Sequence, residues 1–154
     1  MELVGIWSGD DSLFEALTAR LGHKYSFLSG RHGAHFAGQE LSLLIISPTA
    51  VGLAGIGILD PKLALIPGEN VALARRVRAL SAVSYGLGPQ NTLTFSSLEP
   101  SAVSLALQRE IHTLSGALVE RQEWVLPYDG LQTPDAFLCQ MGALLLLGQE
   151  PKTA

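Results

Sequence analysis

The stretch Leu3-Val-Gly-Ile-Trp-Ser-Gly-Asp-Asp-Ser-Leu-Phe-Glu-Ala-Leu-Thr-Ala-Arg-Leu21 decides the fold. Leu3 to Trp7 is a short apolar run, which predicts a strand. Ser12 to Leu21 then places Leu13, Phe14, Leu17 and Leu21 at spacings of three and four, the pattern of an amphipathic helix. Gly22 is placed to end it. A strand, a glycine turn and a helix in that order open an α/β unit. Such a turn is where α/β proteins often cradle a phosphate.

The residues of the turn, Ser8, Gly9, Asp10 and Asp11, oppose that chemistry. A phosphate loop needs glycine amides, a helix N-terminus and a lysine, in the pattern G-x-x-x-x-G-K-[ST]. Here there is no lysine, and two carboxylates stand where the anion would sit. At 4 Å each would repel a phosphate charge by about 4 kcal/mol at an effective dielectric of 20. Asp10 or Asp11 is expected to cap the helix instead. A bridging Mg²⁺ would reverse the sign, since it accepts carboxylates and phosphate oxygens together.

Outward from this unit, Tyr25 to Leu28 reads as a second strand, and Ser29 to Gln39 as a glycine-punctuated loop. Leu41 to Ile46 and Leu63 to Ile66 are aliphatic runs of the kind found in strands buried on both faces. Asn70 to Leu80 reads as a helix with Val71, Leu73, Ala74, Val77 and Leu80 as its stripe, and Ala82 to Tyr85 as a further strand. This alternation predicts an α/β fold with a Rossmann-like, mostly parallel sheet flanked by helices, doubly wound across residues 1–91. Residues 92–126 then read as extended segments, with a hairpin turning at Ser115-Gly116. Pro134 to Leu147 reads as a closing helix stopped by Gly148. No repeat or linker interrupts the chain, so residues 1–154 are expected to form a single α/β domain.

The composition, 47% hydrophobic and 16% charged, excludes a disordered chain. A formal charge of −4 argues against nucleic acid as partner. Arg75, Arg76 and Arg78 are the local exception and read as a solvated helix flank. Leu41 to Leu59 is uncharged for 19 residues, but Pro48 and three glycines favour a strand and a small-residue connection over a membrane span. Met1-Glu-Leu-Val4 has no basic leader, and the single cysteine, Cys139, in an apolar stretch, suits a reducing compartment. The expectation is a cytoplasmic protein that does not engage membranes. The two mixed faces of residues 117–126 suggest a homo-oligomer, formed through strands 102–126 or through the last helix.

Ligands of parallel α/β sheets bind outside the carboxyl ends of the strands. The turns expected there supply Ser8, Gly9, Asp10 and Asp11, then Ser47-Pro48-Thr49, then Gly68, Glu69 and Asn70, and finally Tyr85 and Gly86. These turns hold acids, hydroxyls and an amide but no lysine or arginine, which suits a cation, an amine or a sugar hydroxyl as a small polar ligand. Glu69 and Asn70 also read as residues that open a helix. No cofactor is required by this set; the alternative is Mg²⁺ with a nucleotide. His32-Gly-Ala-His35 has the spacing of a metal pair but lacks further ligands nearby. Ser96, Ser97, His112, Glu120 and Glu123 show no catalytic grouping.

From Leu63 onward, "LALIPGENVALARRVRALSAVSYGLGPQNTLTF" and the closing "PDAFLCQMGALLLLG" (134–148) resemble the later part of the Mur ligase central domain. In that family a strand ends in a polar turn, a helix follows, and the next strand ends in a Tyr-Gly or Phe-Gly turn, here Tyr85-Gly86. The likeness covers just over half the chain. The family's ATP-binding Gly-Lys-Thr loop has no counterpart, and of its polar turn only Glu69 and Asn70 keep comparable polarity. The resemblance therefore implies a non-catalytic relative, or a fragment of that architecture. Its alternative is a Mg²⁺-dependent domain for a nucleotide or a cell-wall precursor.

Overall fold

In strand β1 (Leu3–Trp7), Val4 and Ile6 pack on one face of the sheet and Trp7 on the other, so alternation within five residues feeds two separate cores. The computed structural model describes residues 1–152. After β1 come α1 (Ser12–Leu21), β2 (Ser26–Gly30), a 3-10 turn (Gly33–Phe36), β3 (Leu43–Ile46) and β4 (Leu63–Pro67). Then follow α2 (Val71–Ala74), β5 (Ser81–Tyr85), β6 (Leu93–Leu98), β7 (Ala102–Leu107), β8 (Ile111–His112), β9 (Leu118–Val119), β10 (Gln122–Pro127) and α3 (Pro134–Leu146).

Eight strands form one sheet in the order β10-β7-β6-β5-β4-β3-β1-β2. From β2 across to β6 every neighbouring pair is parallel, while β6, β7 and β10 pair antiparallel. The fold is therefore α/β with a mostly parallel sheet, as the alternation of runs predicts. Among the described residues, no helix is long and apolar enough to cross a membrane.

The two faces are closed differently. Leu13, Leu17 and Leu21 of α1 share one core with Phe137, Leu138, Met141, Leu144 and Leu145 of α3 and with Val4, Ile6, Leu43, Ile45 and Leu65. The opposite core, around Trp7, Leu44, Ile46, Ala64 and Ile66, is covered by Phe36, Ala50, Ile56, Leu59 and Leu73. That cover comes from the 3-10 turn, α2 and the coil between β3 and β4. The coil cannot become a helix because Gly52, Gly55 and Gly57 hold φ values of +88°, +73° and +65°.

Three expectations need correction. The helix expected over Asn70–Leu80 lasts only from Val71 to Ala74. Asn70 caps it through the Leu73 amide at 3.1 Å. The chain then leaves helical geometry because Leu59 takes over its backbone: Leu59 N–H donates to Arg76 O and Arg78 N–H donates to Leu59 O. The hairpin at Ser115-Gly116 forms, with Gly116 at φ +92°. However, its arms are interrupted, pairing as β8 with β9 and then as β7 with β10. Finally, nine residues of α3 are buried against the sheet, so the last helix has no free apolar face for a second copy.

Candidate functional site

Strand β1 has β2 on one side and β3 on the other, so the chain reverses its direction of travel across the sheet at β1 and β3. In open α/β sheets the crevice above such a switch point is the usual ligand site. β1 ends at Trp7 and β3 at Ile46, so Ser8, Gly9 and Asp10 meet Ser47, Pro48 and Thr49 there. α3 completes the site from far along the chain. The helix and the residue just before its cap bring Ala136, Cys139, Gln140 and Gln132 against Ser8, Asp10, Ser12 and Ser47, around a cavity of about 70 Å³.

Four amides of the turn after β1, those of Ser8, Gly9, Asp10 and Ser12, are already bonded inside the protein. Ser8 N–H donates to Gly30 O at 3.1 Å, and Gly9 N–H donates to Thr49 Oγ1 at 2.9 Å. Asp10 N–H reaches Ser8 Oγ at 3.4 Å, and Ser12 N–H donates to Asp10 Oδ1 at 3.0 Å. The hydroxyls also bond one another: Ser47 Oγ donates to Ser8 Oγ at 3.0 Å and lies 2.9 Å from Thr49 Oγ1. None of these hydroxyls meets an imidazole. Gly9 permits the packing, because a Cβ there would stand 2.9 Å from the carbonyl oxygen of Thr49.

Asp10, rather than the N-cap residue Asp11, closes the start of α1; the Asp11 side chain makes no capping bond. Ser12 Oγ–H and then Ser12 N–H hold the Asp10 carboxyl below its ordinary pKa, with Arg31 adding a smaller attraction. Asp11 is exposed and pairs with Arg31 at 3.5 Å. Arg31 also donates to Gly9 O. The crevice turns carry no cation of their own, but the end of β2 delivers this one to their outer side.

Gly68, Glu69, Asn70 and Gly86 gather at the ends of β4 and β5 around Asn91, which is 1% exposed. Asn91 Nδ2 donates to Gly88 O at 3.0 Å, with Glu69 Oε1 at 3.5 Å, and Asn91 Oδ1 is buried without a partner. Glu69 and Asn70, with Pro48, Pro67 and Asp135, line a depression of about 310 Å³. Partial burial, and then the charge of Glu69, raise the Asp135 pKa. Tyr85, expected at the crevice, is fully buried instead. Its hydroxyl donates to Ile46 O at 2.6 Å, and burial drives its pKa up. Cys139 is also inside, its thiol pushed up to about 12 by burial, as an inert core residue should be.

A larger depression of about 580 Å³, lined by Tyr128, Leu131, Phe137 and Met141 among others, adjoins the hydroxyl cavity through Gln132 and Gln140. Pro48 joins that cavity to the acidic depression on the other side. The three depressions therefore wrap the N-terminal turn of α3, and no lysine or arginine lines any of them.

His32 and His35 do not form a metal pair with further ligands; they cap the 3-10 turn, with His32 Nδ1 accepting from Ala34 N–H at 3.0 Å. Among the described residues no three His, Cys, Asp or Glu side chains converge to hold a metal. The sequence reading missed Asp135, Gln132, Gln140 and Asn91. Only the polar first turn of a helix otherwise built of Leu, Ala and Met hinted at the first of them. Comparison with protein-family models, with curated proteins and with solved structures finds no match to this chain.

Proposed function

We propose that this chain is a non-catalytic binding domain whose ligand is a small polar molecule bearing an ammonium group. One observation carries the reading: hydroxyls and carboxylates line the switch-point groove without a lysine or arginine, while the amides of Ser8, Gly9, Asp10 and Ser12 are already bonded. Asp135, whose pKa is raised by partial burial and then by Glu69, gains from a cation, because a positive group offsets the burial penalty and relieves the repulsion between the two acids.

The test is a calorimetric series of glucosamine, glucose and glucose 6-phosphate. Glucosamine should bind best and the phosphate worst. Loss of one charged hydrogen bond in Glu69→Gln or Asp135→Asn should weaken glucosamine by about 10-fold. Affinity for the amine should rise with pH as Asp135 loses its proton, since the pKa of an acid raised in the free protein is lowered by a bound cation. Equal binding of all three sugars would remove the proposal.

The alternative, a Mg²⁺-dependent site for a nucleotide or cell-wall precursor, is favoured by one fact: Asp10 is held in its ionised form beside the same cavity. A thermal shift with ATP or a UDP-sugar that requires Mg²⁺ and disappears in Asp10→Asn would select it. We also propose self-association through β10. This strand lies at the sheet edge with Val125 76% exposed, the kind of edge that pairs with another chain unless blocked. Light scattering should show a dimer at micromolar concentration that Val125→Lys dissociates; a monomer at that concentration contradicts it.

A further inference from the structure

The coil before β4 and the segment after α2 run side by side, joined by the parallel bridge of Leu59 with Val77 and by the Ser81 N–H to Lys62 O bond. Alternate residues of both segments face inward. Leu59 and Pro61 are buried, and Val77 and Ala79 pack on the same core. The residues between them form two exposed rows, Ile58-Asp60-Lys62 and Arg76-Arg78-Leu80, with Arg75 beside the second. Leu80 is 89% exposed and Ile58 50%. Four cations thus stand against the single carboxylate of Asp60, in a chain of formal charge −4. Among the described residues the only ion pair is Arg31 with Asp11, so none of these cations has a carboxylate partner.

We infer that this strip is a docking surface for an acidic, extended segment of a partner protein whose carboxylates and apolar side chains share one face, at every second position. Extended chains place every second side chain on one face, about 6–7 Å apart, which is the repeat of Arg76, Arg78 and Leu80. Arginine offers two parallel donors to a carboxylate, a geometry that clusters of arginine use to read acidic motifs. Leu80 and Ile58 then meet the apolar positions of the segment. A nucleic acid or an anionic bilayer fits less well. Those partners need a broad basic footprint, and a net negative protein is repelled from a polyanion as a whole. The strip lies at the amino ends of β4 and β5, opposite the crevice, so the inference is independent of the ligand proposed there.

The experiment is fluorescence anisotropy with a labelled octapeptide carrying Leu, Glu, Glu and Leu at every second position with Ser between them, against the full chain. The expected result is saturable binding that weakens about 10-fold in Arg76→Gln/Arg78→Gln and falls steeply as salt is raised. The same peptide with Gln for Glu should not bind, and Leu80→Ser should weaken binding while keeping its salt dependence. All these positions are exposed, so thermal midpoints should stay within about 2 °C of the parent. Absence of binding up to about 1 mM, the weak limit of specific association, overturns the inference. So does undiminished binding by the double arginine variant. Tighter capture of duplex DNA or of phosphatidylserine vesicles, lost on the same variant, also overturns it and gives the strip to that partner.

Discussion

Trp7→Ala should lower the thermal midpoint by roughly 10 °C, from a cost of about 3–5 kcal/mol at 2–4 °C per kcal/mol in a chain of this size. Trp7 is fully buried and is the largest side chain of the core opposite the long helices. Its ring packs on Phe36 at a centroid distance of 6.1 Å, and its Nε1–H donates to Val51 O at 2.8 Å. That bond ties the glycine-rich coil to the sheet. Truncation would open a cavity, leave the Val51 carbonyl without its donor, and free the coil that carries Ser47 and Thr49 into the crevice. Trp7→Phe keeps most of the packing and loses the donor, so its cost should be nearer 1–2 kcal/mol. Urea titration checks both. A shift of less than about 2 °C in Trp7→Ala would show that the coil is held by something else.

Gly68→Ala is expected to be nearly as damaging, although it adds one methyl group. A Cβ at Gly68 would fall 1.8 Å from Asn91 Oδ1 and 2.8 Å from Asn91 Cγ. Asn91 is buried and cannot swing into solvent without giving up its bond to Gly88 O. The expected cost is about 2–4 kcal/mol, from overpacking together with a buried amide displaced from its partner. A double-mutant cycle identifies the cause. Asn91→Ala removes the clashing atoms, so Gly68→Ala in that background should cost well under 1 kcal/mol. Equal costs in both backgrounds would place the strain elsewhere.

The order of elements was legible because it is written in local patterns. The spacing of Leu13, Leu17 and Leu21 gave α1, aliphatic runs gave β3 and β4, and the small-residue apolar stretch before Gly148 gave α3. The length of α2 was not legible. The stripe through Val77 and Leu80 is helical in period, but a tertiary backbone bridge to Leu59 overrode it. Half of the crevice was legible, namely the turns that follow parallel strands, because strand direction places their ends together. Asp135, Gln132 and Gln140 were not, since periodicity reveals a helix but not where its first turn lands. Tyr85 misled for a related reason. A tyrosine at a strand end can face the crevice or the core, and only the packing of α3, whose Cys139 meets the Ile46 carbonyl that also accepts from Tyr85, determines which.

The most direct test is an amide chemical-shift titration of the metal-free protein with glucosamine and, separately, with pyrophosphate. The expected result is movement of the Gly9, Thr49 and Asp135 amides with glucosamine and none with pyrophosphate at equal concentration. Saturable movement of the Gly9 to Ser12 amides by pyrophosphate alone would contradict it. That outcome would mean the turn after β1 surrenders its internal bonds to an anion after all.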